Sequence, residues 1–196
     1  MRPIYIFIFC WVTFVTISWT NNTTKYNSEK QAVEKAALSF YEWYLPTVHK
    51  LDNENYPFTV ELIENGKGKY RLDYTAYFNE LGKLGTISDK FLQVEKERFS
   101  YVEEYLSSDK YYEEIESYND AYNDFVDDFY YYRMSQDIDF GGVKVISTQI
   151  SSDQPTACVE IMLTTTETGI DNNPRAQILL EKENNSWMIV KIIPLI

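Results

Sequence analysis

Carboxylates and tyrosines crowd residues 118–137, YNDAYNDFVDDFYYYRMSQD, side chains that suit a cation site, a sugar platform or acid–base work. A calcium loop needs acidic or amide ligands at alternate positions, a central glycine and a closing glutamate. Counting from Asp120, the chain offers Tyr122, then Asp124, and no glycine at the sixth place, so the loop fails. Zinc is excluded by ligand number, since His49 and Cys158 lie 109 positions apart and are the one histidine and the one cysteine downstream of residue 20. A Ser-His-Asp or Cys-His nucleophile has to recruit the same His49, which follows Pro46 and precedes a polar stretch and is expected at the surface. Paired carboxylates stay open as acid and base, because burial can separate their pKa values. With 30 Asp and Glu in the chain, that possibility discriminates little. No metal and no cofactor is expected.

Two arginines carry more information than the acids. Arg98 stands before Phe99 and Arg133 after Tyr132, each inside an aromatic stretch. A guanidinium so placed either anchors an anionic ligand or pairs with a carboxylate such as Glu95 or Asp137. Structural pairing is the favoured reading. Gln136 and Asp137 follow at the crossing into a β-rich half, where they cap or orient the chain or touch a ligand. Tyr132 is assigned to a core stripe, while Tyr130 and Tyr131 are open to stacking or protein contact.

These side chains need elements to hold them. Ser28 and Gln31 match a capping box, and Val33, Ala36, Ala37, Phe40, Tyr41 and Tyr44 recur at helical spacing, which predicts a helix over 29–45 closed by Pro46. A loop or short hairpin is expected around residues 65–68, then a short helix capped by Asp73 and stopped by Gly85. Ser88 caps a third helix with Phe91, Leu92, Phe99, Val102 and Leu106 on its inner face. The acidic stretch resolves as another amphipathic helix, with Tyr122, Phe125, Val126, Phe129 and Tyr132 or Arg133 on one stripe. Beyond Gly141 and Gly142 the period becomes two, and alternating runs separated by turn residues predict antiparallel strands. Helices first and a meander afterwards make the fold class α+β.

Residues 1–20 join one arginine to an apolar run ending in small or hydroxylated residues, the pattern of a secretory signal peptide. The run from Ile4 to Ile17 is shorter than the ~20 residues of a comfortable membrane span. Cleavage after Thr20 leaves a short disordered lead, 21–27, and one domain, 28–196, exported to a periplasm or the medium with no stable membrane span. Its balance of 17 basic against 30 acidic residues disfavours nucleic acid and anionic membranes. Twelve acidic and three basic residues between Glu95 and Asp128 put most of that charge on the helical half. Cys158 then stands alone, so no intrachain disulfide forms, and it is expected as a small hydrophobe on a strand.

The phrases ALSFYEWYL at 37–45, YFNELGKLGTISDKFLQVEKERF at 77–99, SQD at 135–137 and the terminal ILLEKENNSWMIVKI resemble a bacterial exported family, domain of unknown function 3828, within the nuclear transport factor 2-like superfamily. The resemblance implies N-terminal helices packed on a curved antiparallel sheet of about four strands, a cone enclosing a pocket. Trp43, Tyr44 and Trp187 are then candidates to line that pocket beside Arg98, Arg133, Gln136 and Asp137. No activity comes with the family, and fold alone assigns none. The expected function is noncatalytic binding, of a small molecule in the cone or of a protein by the acidic helical face, and a homodimer is compatible with the sequence. A carboxylate and tyrosine hydrolase or isomerase, and an immunity-type inhibitor of a basic partner, are the alternatives.

Overall fold

The computed structural model describes residues 4–52, 61–64, 70–106, 130–134, 140–165 and 173–195 of the chain. Helix α1 (Ile4–Asp52) is followed by a hairpin of β1 (Glu61–Glu64) and β2 (Tyr70–Asp73), then α2 (Thr75–Gly82) and α3 (Asp89–Leu106). A 3-10 turn at Tyr130–Arg133 leads to four strands, β3 (Gly142–Ile150), β4 (Thr156–Thr164), β5 (Arg175–Glu183) and β6 (Ser186–Leu195). The four form a curved, unclosed antiparallel sheet in sequence order, with α1 packed across one face, so the fold is α+β as expected.

Alternation explains the sheet. Val159, Ile161 and Leu163 of β4 and Ala176, Ile178 and Leu180 of β5 point inward and are buried, while their neighbours point to the opposite face. Asn184 and Asn185, with φ of 49° and 67°, close the β5–β6 hairpin in the doubly left-handed geometry that matches strand twist. The free side of β6 is shielded at its middle: Ile189 N–H donates to the Thr86 carbonyl at 2.7 Å, and Ser88 N–H donates to the Ile189 carbonyl at 3.1 Å. The same Ser88 caps α3, its Oγ accepting from Phe91 N–H at 3.1 Å while donating to the Ile189 carbonyl at 2.7 Å. One serine therefore starts the helix and ties it to the sheet.

Helix α1 buries a single stripe, Val33, Ala36, Ala37, Phe40, Tyr41, Tyr44, Leu45 and Val48, against the sheet and the other helices. Its ends differ from expectation. Ser28 is not a cap but an interior residue whose Oγ donates to the Lys25 carbonyl at 2.8 Å, and residues 21–27 are helical, not a disordered lead. That heptad, although polar, has neither glycine nor proline, so extending an existing helix through it costs little. Pro46 does not terminate the helix either. It falls on the exposed side, while Thr47 and Val48 beside it are buried and Thr47 Oγ1 donates to the Trp43 carbonyl at 2.7 Å. Packing of the inner stripe outweighs the one backbone bond that proline removes. Among the described residues no helix is long and apolar enough to cross a membrane.

Candidate functional site

The chemistry of the helical half converges on Glu95. It occupies the middle of the α3 stripe, one turn from Phe91 and one from Phe99, and its side chain is fully buried. Oε2 accepts from Tyr77 Oη at 2.6 Å and from Arg98 Nη2 at 2.9 Å. Oε1 accepts from Arg98 Nε at 3.2 Å and from the Tyr132 hydroxyl in a short bond. Tyr77 comes from α2 and Tyr132 from the 3-10 turn, so three elements meet on one carboxylate. Two oxygens offer about four lone-pair sites, and four donors fill them.

Electrostatics follow the geometry. Burial works against the Arg98 charge, but the Glu95 carboxylate and its hydrogen bonds outweigh that and hold the guanidinium above its ordinary pKa. Burial and then the Glu95 charge push Tyr77 and Tyr132 well above the usual phenol range, so both donate as neutral hydroxyls. Arg98 is further boxed by rings, its Cζ lying 4.2 Å from the Phe99 centroid and 5.4 Å from that of Tyr132. Around the ion pair, Phe40 stacks on Tyr44 at 5.4 Å and meets Tyr132 edge-on at 5.0 Å, while Phe91 stacks on Tyr132 at 6.3 Å. Tyr41 Oη is buried with no hydrogen-bond partner among the described residues, and burial, with Tyr131 nearby, raises its pKa.

The expected lining residues sit in different settings. Tyr44 is buried in the ring cluster, and Trp43 is half-buried at its edge, 6.3 Å from the Tyr77 ring. Arg98 joins the Glu95 cluster. Trp187 lies at the far end of the sheet, buried, its Nε1 donating to Glu29 Oε1 of α1 at 3.1 Å. Arg133 has its backbone in the 3-10 turn, and its side chain, like Gln136, Asp137 and the stripe from Tyr122 to Phe129, lies outside the described residues. The structure thus unites Tyr44 and Arg98 around one cluster and puts Trp187 elsewhere.

Sequence reasoning named Glu95 as one partner for Arg98 but not as the hub. The signal was present: a glutamate at the middle of Phe91, Glu95, Phe99, four residues from each, replaces an apolar residue on a buried stripe. His49 is exposed as expected, beside an open hollow of about 260 Å³ formed with Leu45, Pro46, Phe140 and Gly141. Cys158 is on a strand as expected but half-buried on the face away from α1, its thiol pKa raised by burial and by Glu160. Among the described residues no group of three His, Cys, Asp or Glu is placed to hold a metal ion. Set against family models, curated proteins and solved structures, the chain matches none of them.

Proposed function

We propose that the chain is an exported, noncatalytic domain that recognises a protein partner through its acidic helical half. The observation that carries this reading is the saturation of Glu95: four accepted hydrogen bonds leave its oxygens no site for a substrate proton. The carboxylate and tyrosine constellation that an acid–base enzyme would use is turned inward, and Arg98, the candidate anchor for an anion, is engaged by the same carboxylate. Rings fill the space around them. Charge then directs attention to the rest of the interval from Glu95 to Asp128, which without the paired Glu95 and Arg98 holds eleven acids and two bases. A stretch of that charge attracts a basic surface from a distance and governs encounter more than final affinity. An immunity-type inhibitor of a basic partner is the special case in which that surface is an active site.

The test is a titration with fluorescent decalysine. Binding at about 20 mM salt should weaken at least about tenfold by about 300 mM, since the screening length shrinks over that range. Replacing Asp120, Asp124, Asp127 and Asp128 with Asn should weaken binding, whereas replacing Glu160, Glu181 and Glu183 on the sheet with Gln should not. Salt-indifferent binding, or equal loss from both sets, overturns the reading.

A further inference from the structure

The face of the sheet turned away from α1 sets a run of apolar side chains among polar ones. Among the outward positions of β4, β5 and β6, Cys158, Met162, Leu179, Met188 and Ile193 are apolar and half-buried, interspersed with Thr156, Glu160, Thr164 and Gln177. A bulge in β6 adds Val190, which has no partner in the β5 register because Leu179 pairs with Lys191 and Leu180 with Ile189. Ile146, in the β3 bulge, and Leu195, at the end of β6, are exposed at 41% and 40%. A sheet that has one wet face ordinarily alternates apolar inside with polar outside, and this one departs from that along β6 and at Cys158, Met162 and Leu179 of the central strands.

Charge on the same face is balanced. Lys144, Arg175 and Lys191 point outward against Glu160, Glu181 and Glu183, three basic residues against three acidic. Arg175 Nη1 and Glu160 Oε1 already pair at 3.2 Å within the face. Lys90 of α3 also reaches this face to pair with Glu181, so the seven charges sum to +1 and the chain's net negative charge lies off this surface. For a chain so acidic, most pairings of one copy with another bring like charges together. Face-to-face packing of the sheets does not.

The dimensions suit a dimer. Strands of nine or ten residues in a four-stranded sheet span about 30 Å by about 19 Å, a plan area of roughly 570 Å² that side-chain relief raises towards the ~800 Å² per partner of a standard interface. A groove of about 410 Å³ beside Cys158, Leu179 and Val190 supplies relief for a partner's side chains to enter. Stacked sheets meet about 10 Å apart at an angle of about 30°, and a two-fold arrangement closes on itself without propagating. From apolar content, charge balance and area together, we infer that the outward face of the β3–β6 sheet binds the same face of a second copy, forming a two-fold sheet-on-sheet dimer. This leaves the helical halves outermost on both copies.

Sedimentation equilibrium on the chain purified in the form its host makes tests the inference. The expected result is a species of twice the chain mass at concentrations near about 10 μM, with Leu179→Lys and Ile193→Lys each weakening association by about tenfold or more, because each buries an unpaired charge. Gln177→Arg, a change of one polar side chain for another on the same face, should weaken it too while leaving the far-ultraviolet circular dichroism unchanged. Glu97→Lys on the exposed side of α3 should leave the dimer intact. A monomer at about 100 μM, a dimer indifferent to all three sheet substitutions, or one broken by Glu97→Lys overturns the inference.

Discussion

Glu29 and Glu95 are both glutamates on helices that gather donors from elsewhere in the fold, and they work in opposite solvents. Glu29 stands near the N-terminal end of the packed part of α1, where Oε1 takes a hydrogen bond from Trp187 Nε1 and a short one from Lys182 Nζ. Its side chain keeps 26% of its surface in water, and Lys182 keeps 29%. Glu95 keeps none. At the rim, water and salt substitute for a lost partner, so the contact fixes where the β5–β6 hairpin meets α1 without bearing much free energy. In the interior nothing substitutes, so each group in the Glu95 cluster depends on the others. The contrast shows how the same side chain serves as an indispensable hub in the interior and as a replaceable tether at the rim.

Breaking the buried member should have the largest effect. Glu95→Ala strands a guanidinium and two phenols, and urea unfolding should show a loss of about 3–5 kcal/mol. If that variant does not fold, Tyr77→Phe and Tyr132→Phe separately remove a hydrogen bond to a charged group, each costing about 1.5–3 kcal/mol. A double-mutant cycle between them should show coupling, since both bonds end on one carboxylate. Losses below about 0.5 kcal/mol for both tyrosines would contradict saturation of Glu95.

The rim contact should respond to pH. The hydrogen bond from Lys182 lowers the Glu29 pKa below its ordinary 4.5, so folding favours the ionised form. Its contribution is therefore fully present above the unfolded pKa and is lost as pH falls through the lower folded value. Glu29→Gln should cost about 0.5–1 kcal/mol near neutrality, with the difference from the parent chain closing below about pH 4. Denaturant curves read through tryptophan fluorescence check this, and a difference that grows on acidification would contradict it.

The smallest effect should have the opposite sign. Tyr41→Phe removes a buried hydroxyl that lacks a partner among the described residues and should leave stability unchanged or raise it by up to about 1 kcal/mol. A clear loss would mean that the hydroxyl holds a water or a ligand.

Local rules made much of this fold legible. Ser88 caps α3 and the Asn184-Asn185 turn sets the last hairpin, whereas Asp73, expected to cap α2, accepts from Thr75 N–H at 2.9 Å while Tyr74 holds the N-cap position without a side-chain bond. Each is settled within a few residues, which is the range over which sequence patterns act. Ser28 and Pro46 misled because their local preference for a boundary is worth about 1–3 kcal/mol, less than the long buried stripe of α1 returns. For the candidate site, Arg98 and its pairing were readable one helical turn apart. The hub was not, because Tyr77 and Tyr132 reach Glu95 across 18 and 37 positions, and only the tertiary fold brings them together.

Native mass spectrometry of the protein purified from its own host without added ligand tests the central claim most directly. A closed, self-satisfied Glu95 cluster predicts the mass of the polypeptide alone, single or paired. A retained small molecule that disappears when Arg98 is changed to Met in a still-folded chain would contradict it and return recognition to the interior.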